Sequence, residues 1–92
     1  MDKRDYEQKK VTIGNVEYTF QRMPVRAAMK MRQKWVLGNG LIDDIKMCDE
    51  VFKNIVVEPS VNLDDFDSAE AAMDVVIEAV QYQYGKREEK NE

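Results

Sequence analysis

The segment Asn54–Phe66 reads N-I-V-V-E-P-S-V-N-L-D-D-F, and the other elements of the chain are arranged around it. Its first residues close an amphipathic helix. Pro59 has no amide hydrogen and forbids further helix, so the chain turns there. Val61, Leu63 and Phe66 then fall against the interior, and the acids that follow lead into another helix. Asp67, with Glu70 three residues later, makes a capping-box pattern, Phe66 is placed to pack back as a staple, and the carboxylates crowd the positive helix end. Beyond them, Ala69, Ala72, Met73, Val76, Ile77, Val80 and Tyr84 recur at the three- and four-residue spacing of a buried stripe. Gly85 with Lys86 and Arg87 ends it.

Toward the N-terminus, the run Leu41–Val57 predicts a helix that keeps Leu41, Ile42, Ile45, Cys48, Phe52, Ile55 and Val56 on one apolar face, with Asp43 or Asp44 as its cap. Gly38-Asn39-Gly40 reverses the chain before it. The preceding helix is expected over Pro24–Val36, proline being tolerated in a first turn, where no amide donor is needed. Val25, Ala28, Met29, Met31, Trp35 and Val36 gather on one side of this helix, and Arg26, Lys30 and Lys34 form a basic stripe on the other. Arg32 projects from the apolar side. Either its stem covers apolar surface, or its charge pairs with an acid of a later helix or of another subunit. The basic stripe is either a solvated face or a dock for an acidic partner.

At the start, K-K-V-T-I-G-N-V-E-Y-T-F (Lys9–Phe20) is two alternating runs joined by Gly14-Asn15, residue types that adopt the positive backbone angles of a tight hairpin. The implied register sets Ile13 opposite Val16, Val11 opposite Tyr18 and Lys9 opposite Phe20, with the apolar residues on one face. The expected fold is therefore α+β and mainly helical, an N-terminal β-hairpin packed on about three α-helices. It forms a single domain over residues 9–85, flanked by a flexible arm (1–8) and a disordered tail (86–92).

A chain of 92 residues makes one small domain of modest stability. Its net charge of −4 conceals an asymmetry. Residues 11–40 carry Arg22, Arg26, Lys30, Arg32 and Lys34 against Glu17, a net of +4, whereas residues 41–84 carry eleven acids against Lys46 and Lys53, a net of −9. Opposite signs in the two halves favour attraction between them or between subunits, weakened by salt.

Histidine is absent, which removes the commonest general base and metal ligand. Cys48 is the sole cysteine, lies on an apolar face and reads as a small hydrophobe. Asp64, Asp65, Asp67 and Glu70 lack the central glycine and span of a calcium loop, so capping explains them better than a metal does. The glycines lack the setting of a phosphate-binding loop. No cofactor or catalytic site is expected. The six methionines are read as core filling, with an adaptable groove for a partner helix as the alternative. The lone cysteine and the charged N-terminus give the expectation of a cytoplasmic protein, and no apolar run nears the roughly 20 residues of a membrane span.

Two segments, V-T-I-G-N-V-E-Y-T-F and K-N-I-V-V-E-P-S-V-N-L-D-D-F, together with the order of features, resemble the small tail assembly chaperones of tailed bacteriophages and prophages of Gram-positive hosts. The resemblance spans residues 10–85. It implies a mostly helical, non-enzymatic protein that binds the long helical tape measure protein in the host bacterial cytoplasm. Such proteins help tail-tube protein subunits assemble around the tape measure and are absent from the mature virion. The family offers no catalytic residues. Candidate partner-binding residues therefore come from physics: Arg26, Met29, Lys30, Arg32 and Lys34, bordering apolar surface of the first helix and hairpin, where an amphipathic partner helix or a second subunit would dock. The alternatives are a head-tail connector or other virion component and, against the acidity of the second half, a nucleic-acid-binding regulator.

Overall fold

The computed structural model describes residues 7–85. The fold is α+β, a three-stranded antiparallel sheet with three α-helices. In chain order the elements are β1 (Gln8–Ile13), β2 (Val16–Gln21), α1 (Val25–Gln33), α2 (Asp44–Asn54), β3 (Val56–Glu58) and α3 (Ala69–Tyr84), with one 3-10 turn at Leu63–Asp65.

The β1–β2 hairpin has the register that alternation dictates: Ile13 pairs with Val16, Val11 with Tyr18 and Lys9 with Phe20. Gly14 and Asn15 both take positive φ, 59° and 70°, which matches the turn to the right-handed strand twist. Pairing also takes in Gln8, opposite Gln21, and the Glu7 carbonyl accepts from the Arg22 amide at 2.9 Å. The chain is thus tied down two residues before the expected boundary at Lys9. The rest of the expected arm (1–6) and the tail (86–92) lie outside the described residues.

The sheet has a third strand that the sequence reading assigned to helix. α2 stops at Asn54, whose side-chain amide donates back to the Glu50 carbonyl at 2.9 Å. The β-branched residues that follow suit extended backbone. They find the open edge of β2, pairing Val56 with Phe20 and Glu58 with Thr19, and the Gln21 amide donates to the Ile55 carbonyl at 2.8 Å. Helix therefore ends well before Pro59. After Pro59, Val61, Leu63 and Phe66 pack half-buried against the core as expected, with Phe66 stacked on Phe52 of α2 at 5.3 Å between ring centres.

Capping also differs in detail. Asp43 caps α2, accepting from the Lys46 amide at 3.1 Å. At α3 the cap is Ser68, not Asp67: Ser68 is the last extended residue before the helix, and its hydroxyl accepts from the Ala71 amide at 3.1 Å. A reciprocal capping box does form, one turn earlier, between Asn62 and Asp65. α1 begins at Val25, after Pro24, and gives way at its end to tight turns in which the Lys34 and Trp35 amides donate to Met31 and Arg32.

The core joins Tyr18 and Phe20 of β2, Met31 and Trp35 of the α1 region, Met47, Cys48, Val51 and Phe52 of α2, Ile55 and Val56, and a face of α3. Each large side chain fully withdrawn from water here contributes about 1.5–3 kcal/mol. The buried line of α3 runs Ala72, Val75, Val76, Ala79 and Gln83, turned slightly from the expected stripe, so that Ala69 and Ile77 face outward. Two tyrosines hold this orientation: Tyr82 donates its hydroxyl to the Glu7 carbonyl (2.9 Å) and Tyr84 to the Ala28 carbonyl (2.6 Å).

Candidate partner-binding surface

Between α1 and α2 the chain makes a small loop closed by backbone hydrogen bonds. Val36 bridges Ile42, the Leu37 amide donates to the Leu41 carbonyl and the Asp43 amide to the Trp35 carbonyl, both at 2.7 Å. Gly40, at φ 87°, makes the reversal, and the Asn39 side chain accepts from the Leu41 amide. This geometry withdraws Trp35 into the core and leaves Val36, Leu37, Leu41 and Ile42 outside it. Leu41 is 62% exposed, and Ile45, in the first turn of α2, is 67% exposed. The sequence reading placed Leu41, Ile42 and Ile45 on the buried face of a longer helix. Once Asp43 is the cap, Leu41 and Ile42 precede the helix and cannot share that face, which belongs to Met47, Cys48, Val51 and Phe52.

On α1 the buried residues are Ala28 and Met31, so Val25 and Met29, expected on the apolar side, point to solvent. Met29 is 54% exposed and shares its helix with Arg26 and Lys30, which have no ionic partner among the described residues. The other two basic candidates are engaged internally. Lys34 Nζ lies 3.7 Å from the Glu50 carboxylate of α2, and the Arg32 guanidinium sits over the Tyr84 ring, 5.3 Å from its centre. Arg32 thus covers an aromatic surface on α3 rather than pairing with an acid of the later helices.

The five residues Arg26, Met29, Lys30, Arg32 and Lys34 are all exposed on one helix and the turn that follows it. Chemically they offer cations and a flexible thioether beside aliphatic side chains, an arrangement suited to a groove or helix of another protein. The hairpin face, also named as docking surface, is largely used by the core, where Tyr18 and Phe20 are buried and Val11 and Ile13 half-buried.

Cys48 is buried, with its sulfur 3.6 Å from that of Met73. Burial first, and then the charges of Asp44 and Asp49, push its thiol pKa up. Burial also raises the Tyr84 hydroxyl pKa, against the opposing effect of Arg32. Both groups hold their protons more tightly folded than unfolded. The associated stability is fully present below their ordinary values of 9.0 and 10.0 and is lost as pH rises past them. The urea midpoint should accordingly be lower at about pH 10.5 than at about pH 8, and native Cys48 should resist thiol reagents until the chain unfolds.

Among the described residues no group of three or more acidic or cysteine side chains is arranged to hold a metal ion, and no helix is long and apolar enough to cross a membrane. Comparison with protein families, curated proteins and solved structures finds no match to this chain.

Proposed function

We propose that this chain is a non-enzymatic phage tail assembly chaperone that binds the tape measure protein in the host bacterial cytoplasm. It promotes assembly of the tail tube and leaves before the virion is complete. The observations that carry the reading are the uncovered apolar loop of Val36, Leu37, Leu41, Ile42 and Ile45, and the exposed Met29, Arg26 and Lys30 of the helix that precedes it. Exposed apolar surface bordered by charge marks sites of protein contact, and a long amphipathic helix suits it, with its apolar stripe on the leucine and isoleucines and its acids toward Arg26 and Lys30. The hairpin and the Asn54–Phe66 segment, which carry the resemblance to these chaperones, support the choice of partner.

Two measurements test the proposal together. The chain should co-purify with the long helical protein encoded by a neighbouring reading frame when the two are co-expressed. Mass spectrometry of finished particles should detect tail-tube protein and not this chain; its presence there at structural copy number would favour a connector or other virion component.

A further inference from the structure

The core-facing side of the hairpin is closed at one end and open at the other. Phe20 and Tyr18 of β2 are buried on it, whereas Val16, at the tip, is 40% exposed. β3 pairs only at Thr19 and Phe20, and the chain that follows it comes back past the tip, where Val61 and Phe66 join Ile13 and Val16 as apolar walls. Together with the first turns of α3 they enclose an open groove of about 440 Å³. That is within the range of roughly 300–1,000 Å³ in which protein sites receive small ligands or anchoring side chains.

The groove has an acidic rim that folding does not account for. Asp65 is committed to the Asn62 amide at 2.9 Å. Asp67 and Asp74 also line the groove, are exposed and have no ionic partner among the described residues. Glu70 and Glu78 stand four residues to either side of Asp74 on α3 and are likewise exposed and unpaired among those residues. Like charges at that spacing repel and weaken a helix. The dipole of α3 favours Glu70, in its first turn, but the effect has faded by Asp74 and Glu78. The row therefore costs the isolated domain stability that a cationic partner would restore.

We infer that this groove docks a basic segment of another protein. An aromatic or long aliphatic side chain of that segment enters between Val16, Val61 and Phe66, and lysines or arginines on either side of it meet Asp67 and Asp74. Complementary charge selects the segment and speeds its approach, and the apolar anchor holds it. The contact is small, so the affinity is modest. No residue of α1 or of the apolar loop after it lines the groove, and the inference does not rest on the tape measure reading.

The test is a nuclear magnetic resonance titration of the isotope-labelled full chain at about 50 mM salt, where surface charge is weakly screened. The probe is a short capped peptide with a central tryptophan flanked on each side by a pair of lysines. The amides of Ile13, Val16, Val61 and Phe66 should shift and saturate, with a dissociation constant below about 1 mM. A peptide with serine in place of the tryptophan, and spermine, which has charge without an anchor, should each bind at least about tenfold more weakly. The double variant Asp67→Asn with Asp74→Asn should keep a urea midpoint at or above the parent's, because repulsion along α3 is relieved, and should bind the peptide about tenfold more weakly. Leu41→Glu with Ile45→Glu should leave peptide binding unchanged. The inference fails if no groove amide shifts, if the serine peptide or spermine matches the tryptophan peptide, or if the neutralised variant binds as tightly as the parent. Shifts of the same amides on simple dilution of the chain would also overturn it, by making a second copy the occupant.

Discussion

Replacing Trp35 by alanine is expected to lower the stability of the domain by about 3–5 kcal/mol. Trp35 is only 2% exposed, and its ring meets the edge of Tyr84 at 6.1 Å and 89°. It stands where α1 ends, and its carbonyl accepts the amide of Asp43, the residue that caps α2. Truncation leaves a cavity at the junction of α1, α2 and α3 that the loop above it, already apolar and outward-facing, cannot fill. A domain of this length has a total stability of about 5–14 kcal/mol, so the variant should be close to its folding limit near body temperature. Urea unfolding measures the loss, and Trp35→Phe should recover a large part of it. A cost under about 1 kcal/mol would mean that this junction is not part of the core.

Gln83→Leu is expected to cost about 2–4 kcal/mol despite adding apolar volume to a buried position. The Gln83 side chain accepts from the Met23 amide at 2.6 Å and donates to the Met23 carbonyl at 3.1 Å, joining the last turn of α3 to the connection between β2 and α1. Leucine leaves both backbone groups without a partner in a part-buried setting, and each orphan costs about 1–3 kcal/mol. Gln83→Glu keeps the acceptor and loses the donor, so its cost should be intermediate. Equilibrium urea titration ranks the three chains, and faster exchange of the Met23 amide in the leucine variant would locate the damage.

The hairpin was legible because two signals agreed: alternation placed Val11, Ile13, Val16, Tyr18 and Phe20 on one face, and Gly14-Asn15 supplied the positive angles that hold the register. The third strand was not, because three residues of Val-Val-Glu are compatible with either state, and the open edge of β2 that decides between them lies over thirty residues away. For Leu41, Ile42 and Ile45, periodicity alone extended the apolar face through the cap. Taking Asp43 rather than Asp44 as the cap would have cut Leu41 and Ile42 from that face. Gln83 follows Ala72, Val76 and Ala79 along the buried line of α3, yet a glutamine there reads as solvent-facing until its backbone partner is known. Of the candidate site, exposure of Arg26, Lys30 and Lys34 was readable from helical spacing, whereas Arg32 was placed on the apolar side and is exposed. That Lys34 is drawn to Glu50 and Arg32 to Tyr84 depends on helix packing that spacing does not encode.

The surface around Leu41 and Ile45 is the centre of the functional account, and one double variant tests it most directly. Leu41→Glu with Ile45→Glu replaces two side chains that are mostly in water, so the urea stability should stay within about 0.5 kcal/mol of the parent. Titration calorimetry against the proposed partner, a long helical tape measure protein, should show affinity reduced about 100-fold or more, roughly 2.7 kcal/mol. A variant that is equally stable and binds as tightly as the parent would contradict the account, because the apolar loop would then not be the surface that receives the partner.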